Sequence, residues 1–181
     1  MGCGEPTTAA GGCLCGLVRY QVRAPLGEMF LCHCSDCRRW HGSLCAGTVV
    51  QRHQLDVPPD APLNWFKSPT SERRASRAFC STCGSSLFWV PEEGHLVCIA
   101  AGTLDQPSGL RPTRHLFVSQ QADYWTYQDD LPAHPRHRPD PPDWARPPSD
   151  VSTRRTDEHR RTRAGSGTED RSQAPVPRDH P

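Results

Sequence analysis

Residues 31–42 read LCHCSDCRRWHG and place Cys32, Cys34 and Cys37 within six positions of one another. Three sulfurs at this spacing can face one metal ion and leave its fourth coordination position free. Zinc sites with three protein ligands and an open position are the catalytic kind, whereas four protein ligands make a closed, structural site. The spacing favours an open site, whose fourth position would take water, a substrate thiol or a nearby side chain. The nearby side chains that would close it are His33, His41 and Cys45.

Two further cysteine pairs flank this group. The stretch GGCLCG carries Cys13 and Cys15, and the stretch FCSTCG carries Cys80 and Cys83. Each pair sits in a tight turn whose final glycine allows the positive φ that such a turn needs. The roughly 65 residues between the pairs are no obstacle, because the entropy of loop closure grows slowly with length. Four thiolates predict a closed structural zinc site that stabilises a small core.

Composition bears on the class of protein and its compartment. The start of the sequence lacks the basic patch and apolar run of a secretory signal. The ten cysteines of the chain are therefore expected to be metal ligands of a cytoplasmic protein rather than disulfides. No apolar run reaches the ~20 residues of a membrane span. The net charge of +1 gives no general attraction to nucleic acid or to a membrane. We therefore expect a cytoplasmic zinc protein without a membrane partner, and the charge argues against nucleic acid.

Short strands are predicted around the cysteine groups. Residues 17–22 alternate between apolar and polar, as in a half-buried strand. The other predicted strands are 29–31, 44–50, 87–90, 96–101 and 116–118. One short helix is expected from Ser35 to Trp40, with Ser35 as its N-cap. The fold class predicted from these elements is mostly β.

The apolar residues are concentrated before about residue 131. From Ala133 onward the chain is mostly Pro, Arg, Asp, Ser, Thr and His, which cannot bury enough surface to offset chain entropy. The basic residues of this tail alternate with acidic ones, unlike a basic arm that binds nucleic acid. The predicted parts are a disordered N-terminus at 1–8, a folded zinc domain at 9–132 and a disordered Pro/Arg-rich tail at 133–181.

Taken together, the motifs resemble the glutathione-dependent formaldehyde-activating enzyme family, which includes the centromere-protein-V-like proteins. The similarity covers about residues 9–133 and rests on three cysteine motifs in the same order. The matching segments are Gly12-Cys13-Leu14-Cys15-Gly16, Cys32-His33-Cys34-Ser35-Asp36-Cys37-Arg38-Arg39, Phe79-Cys80-Ser81-Thr82-Cys83-Gly84, Gly102-Thr103-Leu104-Asp105 and 111–117.

The resemblance implies a fold, a metal content and an activity. The fold is a mostly β, zinc-stabilised domain of short antiparallel sheets, similar to the Mss4-like β-tent. Two zinc ions are implied per chain, a structural one and a second one at the middle group. The structural ligands would be Cys13, Cys15, Cys80 and Cys83, and the second set would be Cys32, Cys34 and Cys37. The implied activity is the addition of glutathione to formaldehyde, a carbon–sulfur lyase reaction that gives S-hydroxymethylglutathione.

The resulting hypothesis is that a thiol adds to a small aldehyde at the second zinc. Cys32, Cys34 and Cys37 would act as ligands of that zinc and not as nucleophiles. The thiol is glutathione or another low-molecular-weight thiol. Arg38 and Arg39 would balance the thiolate charge or bind the carboxylates of such a thiol, unless they are solvated turn residues. Cys45 and Cys98 are interpreted as buried, and His115 as an ordinary histidine of the fold. The alternative function is a non-catalytic zinc module that binds protein or nucleic acid.

Overall fold

A computed structural model of the chain describes residues 9–69 and 74–136. The expected N-terminal segment 1–8 and residues 137–181 of the expected tail lie outside the described residues. The boundary predicted at residue 132 is too early. Residues 133 and 134 form a strand, and the Phe117 N–H donates to the carbonyl oxygen of Arg136 at 3.1 Å. The ordered structure therefore includes the first residues of the predicted tail.

The described residues form eleven short strands and one α-helix, which confirms the mostly β class. Three single 3₁₀ turns lie at 52–54, 101–103 and 118–120. The elements are β1 Ala9–Gly12, β2 Arg19–Val22, β3 Met29–Cys32, α1 Ser35–His41, β4 Cys45–Gln51, β5 Leu55–Asp56, β6 Leu63–Lys67, β7 Ala75–Cys80, β8 Ser86–Pro91, β9 Leu96–Ala100, β10 Pro112–Leu116 and β11 Ala133–His134.

The strands make two sheets. The small sheet has the order β1-β2-β5, and the large one has the order β11-β10-β3-β4-β9-β8-β7-β6. Most neighbours are antiparallel, as expected, but β10 pairs in parallel with both β3 and β11. In this register Leu116 lies opposite Cys32, so β10 runs beside the strand that leads into the middle cysteine group.

The strand predicted at 116–118 is wrong in position. It is β10, and it ends at Leu116, because Phe117 adopts a left-handed conformation with φ of 58°. Residues 118–120 then form a 3₁₀ turn. Pairing with β3 sets this end, since the shared register stops where β3 stops at Cys32.

The core forms where the two sheets pack together. Tyr20 of β2 is 2% exposed, and its ring packs edge-on against Phe88 of β8 with centroids 5.1 Å apart. Its hydroxyl lies 2.8 Å from the hydroxyl of Thr103, and burial raises the pKa of Tyr20 to about 12. Leu87 and Ile99 are fully buried in the same cluster. Each such side chain stabilises the fold by about 1.5–3 kcal/mol through removal from water.

Helix α1 begins at a cysteine cap. The N-cap is Cys34, not the predicted Ser35, and its sulfur accepts a hydrogen bond from the Cys37 N–H at 3.3 Å. The helix ends at Gly42, whose φ of 72° gives the left-handed conformation that is common after a helix C-terminus. The cap places two of the three clustered cysteines on the same turn of backbone.

Trp40 fixes α1 against the large sheet. Its ring stacks on Phe66 at 5.5 Å and packs edge-on against Phe79 at 5.6 Å. The indole Nε1–H donates a hydrogen bond to the Ser86 hydroxyl at 2.6 Å. A short helix of seven residues is marginal on its own, so these contacts hold it in place.

Candidate metal centres and the adjoining cavity

The first cluster joins two distant turns. Its members are Cys13, Cys15, Cys80 and Cys83, whose sulfurs all lie within 4.8 Å of one another. The sulfur of Cys15 is 3.4 Å from that of Cys13 and 3.8 Å from that of Cys80. A tetrahedral zinc site with bonds of about 2.3 Å separates its sulfurs by about 3.8 Å. The arrangement therefore fits a four-thiolate metal site and is too open for disulfides.

The backbone of both turns is shaped for this cluster. Gly16 and Gly84 follow the two pairs with φ of 80° and 74°, a conformation that side chains with a Cβ disfavour. The turns are also tied together, because the Leu14 N–H donates to the Ser85 hydroxyl at 3.0 Å. Hydrogen bonds from the Ser85 side chain and backbone lower the pKa of Cys83 to about 5. A thiolate is thus favoured where a metal ligand is needed.

The second cluster lies where β3 passes into α1. The sulfurs of Cys32, Cys34 and Cys37 are within 4.8 Å of one another. The pKa of Cys37 is lowered because Cys32, and then Cys34, supply hydrogen bonds to its sulfur. The pKa of Cys32 is raised, first by Cys34 and then by Cys37, because the same contacts favour its protonated form. Three crowded thiols that cannot all ionise unaided make a donor set that a thiophilic cation such as zinc fits.

The three local candidates for the fourth position differ in placement. Cys45 lies opposite Cys32 on β4, and its thiol is within hydrogen-bonding reach of Cys37. His41 lines the cavity that the cluster faces. His33 is buried, and its Nε2 is 2.8 Å from Nδ1 of His115, so that nitrogen already has a partner. Cys45 and His41 therefore remain as side chains next to the open face of the cluster.

A cavity of about 420 Å³ opens beside the second cluster. All three of its cysteines belong to the lining, whereas none of the four cysteines of the first cluster does. The volume lies in the range of small-molecule sites. Its apolar walls include Phe30, Val49, Leu87, Phe88 and Trp89, and its charged or titratable members include Asp36, Arg39, His41 and Arg77. Only the second of the two clusters therefore borders this cavity.

The two arginines that follow Cys37 have different surroundings. Arg39 is exposed and lines the cavity, so it remains a candidate partner for an anion there. Arg38 lies at a separate small cavity with His33 and Trp125. The Arg38 Nε atom is buried and has no hydrogen-bond partner among the described residues. Only one of the two predicted cations therefore faces the cluster's cavity.

Arg77 lines the cavity and was missed by sequence reasoning. It lies in the middle of β7, is 4% exposed, and its guanidinium carbon is 5.6 Å from the centre of the Trp40 ring. The local sequence SRAFC gave no signal, because a charged side chain in a short strand is normally interpreted as a surface residue. Its position depends on α1 packing over β7, which no local pattern reveals.

The buried histidine His115 contacts His33, which lies between two cysteines of the second cluster. His115 is 1% exposed; its Nδ1 faces His33, and its Nε2 is 3.0 Å from a carboxylate oxygen of Asp129. Since an ionised carboxylate only accepts, the His115 Nε2–H donates to Asp129, while its Nδ1 shares a hydrogen bond with Nε2 of His33. Burial opposes ionisation of Asp129, but the bond from His115 lowers its pKa. Both ring nitrogens of His115 therefore have partners, and one partner, His33, is the residue between two clustered cysteines.

Comparison with known proteins adds a family match. The family model described as glutathione-dependent formaldehyde-activating enzyme matches residues 8–120. A crystal structure of a Rhodobacter sphaeroides protein is similar with a TM-score of 0.44 and 27% identity, over 54% of this chain and 88% of that chain. No curated protein sequence matches the chain. Among the described residues no helix has the length and apolar character needed to cross a membrane. The matched family segment includes all the cysteines of both clusters.

Proposed function

The chain belongs to the glutathione-dependent formaldehyde-activating enzyme family, and we propose that it adds a low-molecular-weight thiol to formaldehyde or a similar small aldehyde. The reaction class is carbon–sulfur lyase, of the S-(hydroxymethyl)glutathione synthase type. The observation that carries this proposal is the cavity of about 420 Å³ lined by Cys32, Cys34 and Cys37. A metal held by these three sulfurs would face a space large enough for both reactants.

Zinc is the proposed metal at both clusters, giving two ions per chain. The structural ion would be held by Cys13, Cys15, Cys80 and Cys83, and the second by Cys32, Cys34 and Cys37. When bound at the second cluster, zinc would favour the thiolate form of a substrate thiol and polarise an aldehyde oxygen. The three cysteines serve as metal ligands, and the nucleophile is the sulfur of the substrate thiol.

The chain's own residues contribute the environment of the reaction. The substrate sulfur attacks the carbonyl carbon, a carbon–sulfur bond forms, and the π electrons move to the oxygen. That oxygen gains the proton that the thiol lost, so the product is a hydroxymethyl thioether and no other reactant is needed. The apolar wall formed by residues such as Phe30 and Phe88 excludes water, which strengthens electrostatic interactions in the cavity. The positive charge of Arg39 favours anionic sulfur and oxygen there.

The proposed compartment and partners follow from the chemistry of free thiols. None of the described cysteines forms a disulfide. Clustered free thiols and a thiol substrate are both typical of a reducing compartment. We propose a cytoplasmic enzyme whose partners are a small thiol and a small aldehyde.

One contact favours a second candidate function. Because Cys45 lies within reach of Cys37, it would close the second site if it became a permanent fourth ligand. Both zinc ions would then be structural, and the domain would be a non-catalytic module that binds protein or nucleic acid. Cobalt-substituted protein distinguishes the two, because four thiolates give stronger sulfur-to-metal absorption than three thiolates and water. An added thiol should change the spectrum only if the fourth position is open.

The main test is exchange NMR on ¹³C-formaldehyde mixed with a panel of thiols, with and without the zinc-loaded protein. We expect faster interconversion of free and thiol-bound formaldehyde, and the most accelerated thiol identifies the substrate. Cys34→Ser should abolish the acceleration while zinc analysis still finds the ion of the first cluster. No acceleration with any thiol, at full zinc loading, would contradict the proposed reaction and favour the binding module.

A further inference from the structure

Arg77 is a buried cation that forms no ion pair with a carboxylate among the described residues, although its charge acts on the thiol of Cys37. It is 4% exposed and lines the cavity of the second cluster. The described ion pairs of arginine use other residues, namely Arg19, Arg23, Arg74 and Arg114. Asp36, the one carboxylate of the described cavity lining, accepts a hydrogen bond from Ser68 at 3.4 Å. A buried guanidinium in this situation costs free energy that a bound anion would offset.

The guanidinium of Arg77 is held in place without the use of its hydrogen-bond donors. Its carbon lies 5.6 Å from the centre of the Trp40 ring, which is a cation–π distance. Trp40 is itself fixed by the Ser86 hydroxyl and by the Phe66 ring. A guanidinium carries five N–H donors in a planar fork that matches a carboxylate. Among the described residues, no hydrogen bond from the Arg77 side chain uses these donors, so they are available to a ligand in the cavity.

We propose that Arg77 binds a carboxylate of the thiol substrate and makes the site selective for thiols that carry one. The inference rests on the proposed function, because the sulfur of the same molecule is taken to reach the cluster of Cys32, Cys34 and Cys37. The cavity has room for both ends of such a molecule, since its lining includes Arg77 and all three cysteines. The ligand class is a small mercapto acid rather than a neutral or purely cationic thiol.

Two rival explanations make different predictions. In the first, Arg77 only balances the negative charge of three thiolates, and every thiol would depend on it equally. In the second, the exposed Arg39 of the same cavity binds the carboxylate. A matched pair of thiols, 3-mercaptopropionate and 2-mercaptoethanol, separates these cases because the two differ in a carboxylate and a hydroxyl.

The first experiment measures thiol-dependent formaldehyde exchange for the zinc-loaded full chain and four variants. Arg77→Gln should raise the KM for 3-mercaptopropionate by roughly 10- to 100-fold, the usual effect of losing hydrogen bonds to a charged group. Its KM for 2-mercaptoethanol should change by about twofold or less. Arg77→Lys keeps the charge without the fork, so an intermediate KM for the acid is expected. Arg114→Gln is the matched control, because Arg114 is also buried but pairs with Glu28 outside the cavity lining.

Arg39→Gln completes the set. Equal losses for both thiols in Arg77→Gln would overturn the proposal in favour of charge balance. Selective loss for the acid in Arg39→Gln, with Arg77→Gln unaffected, would overturn it in favour of Arg39. Zinc content and circular dichroism of each variant confirm that the comparison is between folded, loaded proteins.

A second readout does not depend on turnover. The side-chain ¹⁵N signal of Arg77, assigned by its loss in Arg77→Gln, should shift saturably when 3-mercaptopropionate is added and not when 2-mercaptoethanol is added. If the wild-type chain accelerates no thiol but this shift occurs, the proposed reaction fails and the carboxylate site stands. If exchange is accelerated and the shift is absent, the reaction stands and the role of Arg77 is refuted.

Discussion

At the scale of single residues, Gly11 marks a close approach of β1 to Tyr20 of β2 and to the 3₁₀ turn at 101–103. A Cβ built on Gly11 would lie 2.3 Å from the Tyr20 hydroxyl and 2.4 Å from the backbone oxygen of Thr103. Neither atom can move easily, because Tyr20 is buried and the other atom is backbone. We expect Gly11→Ala to lower the free energy of unfolding by about 1–3 kcal/mol, the usual cost of overpacking. Urea denaturation of the zinc-loaded protein measures this change.

Gly102→Ala is the control for that substitution. Gly102 is exposed, and an added Cβ there would meet no atom within 4 Å. Its effect should stay within about 0.5 kcal/mol of zero. Equal destabilisation by both substitutions would show that the loss comes from something other than the contact with Tyr20.

Residue identity predicted which cysteines come together in the two clusters, but it did not predict the residues that surround them. The sulfurs of Cys13, Cys15, Cys80 and Cys83 meet because short turns fix each pair, and spacing records this directly. Arg77 could not be found in this way, since its burial depends on Trp40 arriving from another element. The same holds for His115, whose partners are His33, just after β3, and Asp129.

At the scale of elements, one of the contacts that hold α1 in place is the hydrogen bond between Trp40 and Ser86, and either partner can be changed to test it. Trp40→Phe keeps a ring in contact with Phe66 and Phe79 but removes the indole donor to Ser86. Ser86→Ala removes the acceptor of the same bond. Each change should cost about 1 kcal/mol, which is the typical net value of a hydrogen bond. In the double variant the two losses should be clearly less than additive.

Unfolding experiments on the two single variants and the double variant complete the cycle. Full additivity would mean that the 2.6 Å contact between Trp40 and Ser86 contributes nothing of its own. The helix would then be held by ring packing alone.

The strand β10 is linked to the segment after it by the hydrogen bond between His115 and Asp129. The hydrogen bond from His115 lowers the pKa of Asp129 against the effect of burial. A lowered carboxyl pKa contributes stability above the unfolded value of about 3.9, and this is lost as the pH falls through the folded value. Wild-type protein should therefore lose more stability between about pH 5 and pH 2 than Asp129→Asn.

Acid also releases metal from thiolates, but that effect is common to both proteins, so the difference between their stability curves isolates the carboxylate. Chemical denaturation at closely spaced pH values gives this difference. Parallel curves for the two proteins would show that the contact between His115 and Asp129 does not favour the ionised carboxylate.

Strands with apolar alternation or β-branched runs were predictable, and those without them were not. β2 and β4 have such patterns, whereas β6 reads LNWFK and is largely exposed. The parallel pairing of β10 with β3 also escaped prediction, because it depends on a long connection and not on local sequence. The cap of α1 was assigned one residue late, since Cys34 takes the role that Ser35 was expected to have.

At the scale of the whole molecule, the two clusters differ in what they connect. The first joins the turn between β1 and β2 of the small sheet to the turn between β7 and β8 of the large sheet. The second draws all its cysteines from residues 32–37, at one end of β3 and the start of α1. Closing a long loop constrains the unfolded chain more than closing a short one, so loss of the first site should cost more stability.

A pair of variants matched in exposure tests this asymmetry. Cys83 and Cys34 are both half-buried, so a serine at either position perturbs packing to a similar degree. Cys34→Ser should retain one zinc per chain and a β-type circular dichroism spectrum. Cys83→Ser should lose the zinc that joins the two sheets and unfold at a lower urea concentration, or fail to fold. Native mass spectrometry counts the metal, and denaturation ranks the two variants; greater destabilisation by Cys34→Ser would mean that the second site, not the first, maintains the fold.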